Sequence, residues 1–282
     1  MLTEKRKIDS QTKVFALIGY PVEHSISPAF WNSAFEAVGL NAVYVALPVK
    51  PENVETAIGG LKAVGVVGIN ITRPHKVKVA ACCDRLVDAA VETNVVNTVL
   101  FSDGETVGWN TDAYAMFNVL RRFFLPHTKA LILGNGATHL SVLWALKKYG
   151  VKEIDVIARK HISESEEYLN VSESENIFFR KLSWNTKNFS NSIKESDIII
   201  NTTPIGWQKT DDIPGFSEGI DNSKTFVDFN YSKVSKLLSV AAEKGAKVID
   251  GRELLCEQGL EAFKLLTNFE PPAEVIRSSI FC

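Results

Sequence analysis

The polar opening "MLTEKRKIDSQTK" gives way at Lys13 to "KVFALIGYPV", whose apolar run reads as a buried strand ending at Gly19. "PAFWNSAFEAVGL" carries Phe30, Ala34, Phe35 and Val38 at helical spacing, which predicts a helix from Pro28 that stops at Gly39. "NAVYVALPV" reads as a second strand, "NVETAIGGLKAVG" as a helix and "VVGINI" as a short strand. Strand and helix thus alternate through the first third, the pattern of an α/β domain with a mostly parallel sheet.

A second alternation follows the apparent helix "GWNTDAYAMFNVLRRFF". Residues 129–150, "KALILGNGATHLSVLWALKKYG", read as strand, glycine turn and helix, and "EIDVIARK" as the next strand. "ESDIIINTTPIGW", "KTFVDFNYS" and "AKVIDG" supply further short strands. The Ser/Glu-rich "HISESEEYLNVSESENIFF" fits a surface helix and loop, and the closing "RELLCEQGLEAFKLLTNFEP" an amphipathic helix that returns to the first domain. With 282 residues, 45% of them hydrophobic, the chain is long enough for two domains with a cleft between them.

Net charge narrows the function. The 31 Lys+Arg against 33 Asp+Glu give a net charge of -2 without a long basic block, which argues against nucleic acid as a partner. No apolar stretch reaches the ~18 residues of a membrane span and no signal-peptide core is present, so a soluble, cytoplasmic protein without a membrane partner is expected. Cys82, Cys83, Cys256 and Cys282 show neither CxxC nor His/Cys ligand spacing, so neither a metal site nor a disulfide framework is expected.

"LILGNGATH" carries candidate chemistry. Gly134 and Gly136 occupy the first two glycine positions of a dinucleotide fingerprint, between a strand and a helix, and His139 stands at the third. Such a turn lets the backbone of Gly134, Asn135, Gly136, Ala137 and Thr138 approach a pyrophosphate at the helix N-terminus. The next strand ends in Arg159 and Lys160 where NAD-binding units carry an acid, and a guanidinium there would pair with a 2′-phosphate, pointing to NADP.

Polar residues also interrupt apolar runs elsewhere: Asn70, Thr72 and Lys76 in "GINITRPHK", Asn97 and Thr98 in "VVNTV", and Asn110, Thr111 and Asp112 in "GWNTDA". Together with "GYPVEHSISPAFWNSAF", "NTTPIGW" and "DGRELLCEQ", in this order from about Gly19 to Pro271, the chain resembles the shikimate dehydrogenase family. The resemblance implies reversible, NADP-dependent reduction of 3-dehydroshikimate to shikimate, with a small-molecule partner and a monomer or homodimer. It implies a substrate-binding and catalytic domain of residues 1–112 and 252–282 and a Rossmann-like NADP-binding domain of residues 113–251. Lys76 and Asp112 resemble the catalytic pair, and Ser25 and Ser27 the hydroxyls on the substrate carboxylate. Thr72, Asn97 and Gln258 resemble contacts to the ring hydroxyls, and Tyr231 a tyrosine near the carboxylate. Asn70 lies in the same motif as Thr72, while Thr202 and Gly251 fall in motifs on the cofactor side.

The chain departs from the family at "GNGATHL", where Ala137 and His139 replace the usual residues, and at "ARK", which keeps Arg159 without its usual neighbours. Two rivals follow: a paralogue acting on quinate or an aminated shikimate, and a binding protein with an impaired cofactor site. In "HSISP", Ser27 before Pro28 fits a helix N-cap with proline at the first helical position, whereas Ser25 has no such structural duty.

Overall fold

The computed structural model describes residues 8–123, 129–158, 165–172, 175–206, 213, 215–231 and 235–281. The chain divides into two compact units, Met1–Thr111 with Cys256–Cys282, and Asp112–Leu255. Both are α/β.

In the first unit β1 (Lys13–Gly19), β2 (Ala42–Pro48) and β3 (Gly68–Ile71) alternate with α1 (Ser27–Ala37) and α2 (Val54–Ala63). β1 is parallel to both neighbours, Phe15 pairing with Tyr44 on one side and Gly68 on the other. After α3 (Lys76–Ala80), β4 (Arg85–Leu86) and α4 (Ala89–Thr93), the pattern changes. β5 (Thr98–Ser102) and β6 (Glu105–Trp109) form a hairpin, and β5 runs antiparallel to β3. The sheet, in the order β2-β1-β3-β5-β6-β4, therefore remains mostly parallel, at β2-β1, β1-β3 and β6-β4, with antiparallel pairings at β3-β5 and β5-β6. "SDGE" encodes the reversal: Asp103 and Gly104 take φ of 50° and 81°, as a two-residue hairpin turn demands.

Period-two alternation sorts β1 between two layers. Ala16 and Ile18 join Val54 and Ile58 of α2 in one buried cluster, while Phe15 faces Trp31 and Phe35 of α1. α10 (Gly251–Thr267) completes the aromatic layer through Phe263, 5.4 Å from the Trp31 ring. A last helix that the sequence pattern does not announce, α11 (Ala273–Phe281), packs beside α1.

The second unit starts with α5 (Thr111–Arg122), which begins on the last residue of the first unit's leading segment. β7 (Lys129–Leu133), α6 (Ala137–Tyr149) and β8 (Glu153–Ala158) follow as read. β9 (Ser165–Ser172), β10 (Glu175–Ser183) and α7 (Thr186–Glu195) come next, then β11 (Ile198–Asn201), α8 (Phe216–Gly219), β12 (Thr225–Asp228), α9 (Lys236–Glu243) and β13 (Lys247–Ile249). The sheet order β13-β12-β11-β7-β8-β10-β9 is doubly wound about β7. Neighbouring strands from β13 to β10 are parallel. Leu131 and Leu133 join Phe189 and Leu237 in the cluster on one face. Ala130 and Ile132 join Met116 and Val142 on the other.

Within the Ser/Glu-rich stretch, where a surface helix and loop are expected, the described residues form strands: β9 pairs antiparallel with β10. Period two explains it, since Leu169 and Val171 stand two apart, as do the buried Ile177 and Phe179 of β10. An ion network ties this edge to the sheet. Asp155, 1% exposed at its side chain, accepts from Arg180 Nε and Nη2 at 2.7 and 2.6 Å and from Ser192 Oγ at 2.8 Å. Lys129 and Arg180 both reach Glu195.

Candidate active site

β3 delivers Asn70 into a closed polar network. Its Oδ1 accepts from Tyr44 Oη at 2.8 Å, and its Nδ2 donates to Thr98 Oγ1 at 3.0 Å and Asn97 O at 3.3 Å. Asn70 thus acts as a strut between β2, β3 and β5, satisfied by protein partners. Its neighbour Asn97 is also buried, and its Oδ1 accepts from Thr111 N at 2.8 Å while its Nδ2 lies 3.0 Å from Thr111 Oγ1. Thr111 Oγ1 in turn stands 3.5 Å from Gln258 Oε1 on α10. Sequence reasoning quoted Thr111 without giving it a role, yet it is the fully buried hub that joins Asn97 to Gln258. It also fixes the backbone immediately before Asp112.

Thr72 and Lys76 sit on the loop and helix that follow β3. A Cβ on Gly19 would overlap Thr72 Cγ2, so only glycine allows the two segments their approach. Thr72 N donates to Ile18 O and Tyr20 N to Arg73 O, each at 2.9 Å. Lys76 is the first residue of α3, half-buried, and its carbonyl accepts from Val96 N at 2.9 Å beside Asn97. Strand register and these bonds bring Asn70, Thr72, Lys76, Asn97 and Gln258 to one end of the first sheet.

The serine pair exchanges its expected duties. α1 starts at Ser27, its N-cap is Ile26 without a side-chain bond, and Pro28 is the second helical residue. The Ser25 hydroxyl accepts from Ser27 N at 3.2 Å, so the structural work at this helix start belongs to Ser25. Ser27, 8% exposed, has no hydroxyl bond among the described residues and is the freer of the two for a ligand.

The second unit holds Asp112, Gly134, Asn135, Gly136, Ala137, Thr138, Thr202, Tyr231 and Gly251. Asp112 is buried in the first turn of α5. Arg159 and Lys160, which carry the argument for NADP over NAD, lie outside the described residues. Gly134 follows β7 at φ 105°, and a Cβ there would lie 2.8 Å from Thr202 Oγ1 and Thr203 Cγ2. Thr202 Oγ1 donates to Leu133 O at 2.7 Å, which holds the loop after β11 against the turn. This is the switch point of the doubly wound sheet, at the carboxyl ends of β7 and β11, where such folds bind ligands. Gly136 is the N-cap of α6 with nothing within 4 Å of the position its Cβ would take, so the turn leaves room for a pyrophosphate over the helix N-terminus. The residues present therefore fit a dinucleotide.

Gly251 has a different duty. A Cβ there would overlap Asn230 O and lie 2.8 Å from Asp228 O, so the start of α10 needs glycine for chain approach.

Residues 17–99 match the family model of the shikimate dehydrogenase substrate binding domain. Over 280 residues, 97% of this chain and 96% of the relative, the sequence is 36% identical to the shikimate dehydrogenase (NADP(+)) of Methanopyrus kandleri. The chain belongs to the shikimate dehydrogenase family. The structure of shikimate dehydrogenase from Aquifex aeolicus superposes with a TM-score of 0.85 at 33% identity, covering 97% of this chain and 99% of that one. The Thermus thermophilus shikimate 5-dehydrogenase, solved with NADP(H) and shikimate, gives 0.78 at 26% identity, covering 96% and 99%.

His139, at the third glycine position of the fingerprint, contacts the turn directly. Its Nδ1 lies 2.6 Å from Gly136 O, and because a carbonyl only accepts, Nδ1 carries the hydrogen. Burial holds this imidazole below its ordinary pKa, the bond to Gly136 O opposes that, and the Lys181 ammonium adds to it. The ring is therefore neutral at pH 7 and braces the turn. Among the described residues no cluster of three or more His, Cys, Asp or Glu could hold a metal, and no helix is long and apolar enough to cross a membrane.

Proposed function

We propose that this chain catalyses the NADP-dependent interconversion of 3-dehydroshikimate and shikimate. The observation that carries the reading is the convergence of the buried Asn97 and Thr111 with the half-buried Gln258, which unites three motifs beside β3 and Lys76, Thr111 and Gln258 lying 147 positions apart. A polyhydroxylated acid requires several convergent hydrogen-bonding groups, and Ser27, Thr72, Asn97 and Gln258 supply them, with Ser25 ordering the helix start. The acid is held mainly by residues 1–112 and 252–282, and the cofactor by residues 113–251 through the turn from Gly134 to Thr138.

Bound NADPH supplies the hydride. As hydride adds to the ketone carbon, the carbonyl oxygen gains alkoxide character and needs a proton donor within ~2.6–3.2 Å. The Lys76 ammonium donates that proton, leaving a neutral amine that accepts it back in the oxidative direction. Asp112 is the second member of the pair, and the Asn97 bond to Thr111 N steadies the backbone that carries it. The reading includes a cytoplasmic location, a small-molecule partner and a monomer or homodimer.

The test follows nicotinamide absorbance with shikimate, quinate and aminoshikimate, each with NADP+ and NAD+. NADP+ reduction by shikimate is expected, and turnover with quinate alone would overturn the reading. Lys76→Ala should lose about 10²–10⁴ in kcat while shikimate still binds. Near-normal kcat in that variant removes Lys76 from the proton transfer.

A further inference from the structure

Asp228 is a buried carboxylate that the proposed mechanism leaves unused. It ends β12 directly opposite Asn201, which ends β11, and both are fully buried. Asp228 Oδ1 accepts from Asn201 Nδ2 at 3.1 Å and from Asn230 N at 3.0 Å, while Oδ2 accepts from Ser235 Oγ. Burial pushes its carboxyl up to about 6, and the bonds from Ser235, Asn230 and Asn201 work against that. The network fits a carboxylate built in to hold donors rather than one exposed to titrate.

What those donors hold gives the residue its meaning. Asn201 Nδ2 also donates to Ile205 O at 2.8 Å, and its Oδ1 accepts from Thr203 N at 3.0 Å and Thr203 Oγ1 at 2.7 Å. Asn230 Nδ2 donates to Thr203 O and Ile205 O, both at 3.1 Å. Ser235 caps α9 by accepting from Leu238 N at 3.0 Å, and Lys236 N donates to Gly206 O at 3.2 Å. The loop after β11 and the chain after β12, which leads directly to Tyr231, are therefore sewn to one carboxylate. The same loop presses Thr202 and Thr203 against Gly134, leaving that turn no space for a Cβ.

We infer that Asp228 is a positioning residue for the cofactor: through Asn201 and Asn230 it fixes residues 202–206 against the dinucleotide turn, and NADP affinity depends on it. The inference rests on the proposed function, since it takes the turn at Gly134 to be where NADP binds. An asparagine at 228 can keep the arrangement. Its Oδ1 accepts from Asn201 and Asn230 as before, and its Nδ2 donates to Ser235 Oγ, whose hydroxyl hydrogen is free to turn away.

Isothermal titration of NADP+ into the purified full-length protein tests this without recourse to turnover. Asp228→Ala should raise Kd tenfold or more, and Asp228→Asn should return it to within threefold of wild type. Ser192→Ala, which removes a donor from Asp155 in the same unit, controls for lost stability and should leave Kd unchanged. Should Asp228→Ala fail to fold, Asn230→Ala carries the test, because it cuts the side-chain bonds to Thr203 O and Ile205 O while leaving Asp228 its backbone donor at Asn230 N and its donors from Asn201 and Ser235, and a fivefold rise is expected. Wild-type binding with Asp228→Ala or Asn230→Ala within twofold overturns this inference alone. A wild-type protein that does not bind NADP+ overturns the cofactor reading and this inference with it.

Discussion

Ser25 shows how one hydrogen bond alters the meaning of a variant. Because its hydroxyl accepts from Ser27 N, Ser25→Ala removes structure as well as a candidate ligand group. We expect a stability loss of about 0.5–1.5 kcal/mol with a raised KM for shikimate. Ser27→Ala should raise KM with less change in stability, and urea unfolding of both variants beside their KM values distinguishes the two roles. Asp228 gives a pH signature of opposite origin. Its folded pKa of about 6 lies above the ordinary carboxyl value, so the folded state binds the extra proton. The stability this group contributes is full below about pH 4 and is lost as pH rises through 6. Asp228→Asn lacks that loss, so its stability relative to wild type should improve by up to ~3 kcal/mol between pH 3 and pH 7. Denaturant titrations at both pH values check the sign, and an unchanged difference would falsify it.

At the scale of elements, Asp155 on β8 links β10 through Arg180 and α7 through Ser192, with Lys129 of β7 3.6 Å away. The bond to Asp155 raises the Arg180 pKa, and the bond from Lys129 lowers that of Glu195, so each of these two partners favours the charged form of the group it meets. Arg180→Met should cost about 3–5 kcal/mol by leaving Asp155 buried with fewer donors, read as a lower urea midpoint with unchanged m. Adding Asp155→Leu should recover part of the loss. These elements also mark where sequence pattern informs and where it does not. Runs such as "KALIL" and "DIIIN" announce buried parallel strands because both faces are covered, and their members divide cleanly between two apolar clusters. β9 is illegible by composition, since its Ser and Glu residues suit an edge strand as well as a surface helix and only the two-residue spacing separates them. At the site, Lys76, Asn97 and Gln258 are visible as polar residues in recognisable motifs. The hub role of Thr111 and the need for glycine at 19 and 251 depend on partners brought from elsewhere in the chain, which periodicity does not encode.

At the scale of the whole molecule, each unit has its own sheet and its own apolar clusters, and the candidate ligand groups divide between them. The hydroxyls and amides proposed to hold the substrate gather at one end of the first sheet, and the candidate dinucleotide turn lies at the switch point of the second. A ligand stabilises what it binds by about 2.7 kcal/mol at 100 times its Kd, and local amide exchange slows to match where that segment opens alone. Hydrogen exchange with each ligand separately should therefore give two different maps. NADP+ should slow amides at 134–139 and 202–206, whereas shikimate should slow those at 70–76, 97–98 and 111. The Asp228 network places 202–206 with the cofactor turn, so Asp228→Ala should weaken NADP+ protection at both segments together. Protection by NADP+ confined to residues before 112, or by shikimate confined to 134–139, would reverse the assignment of ligands to units.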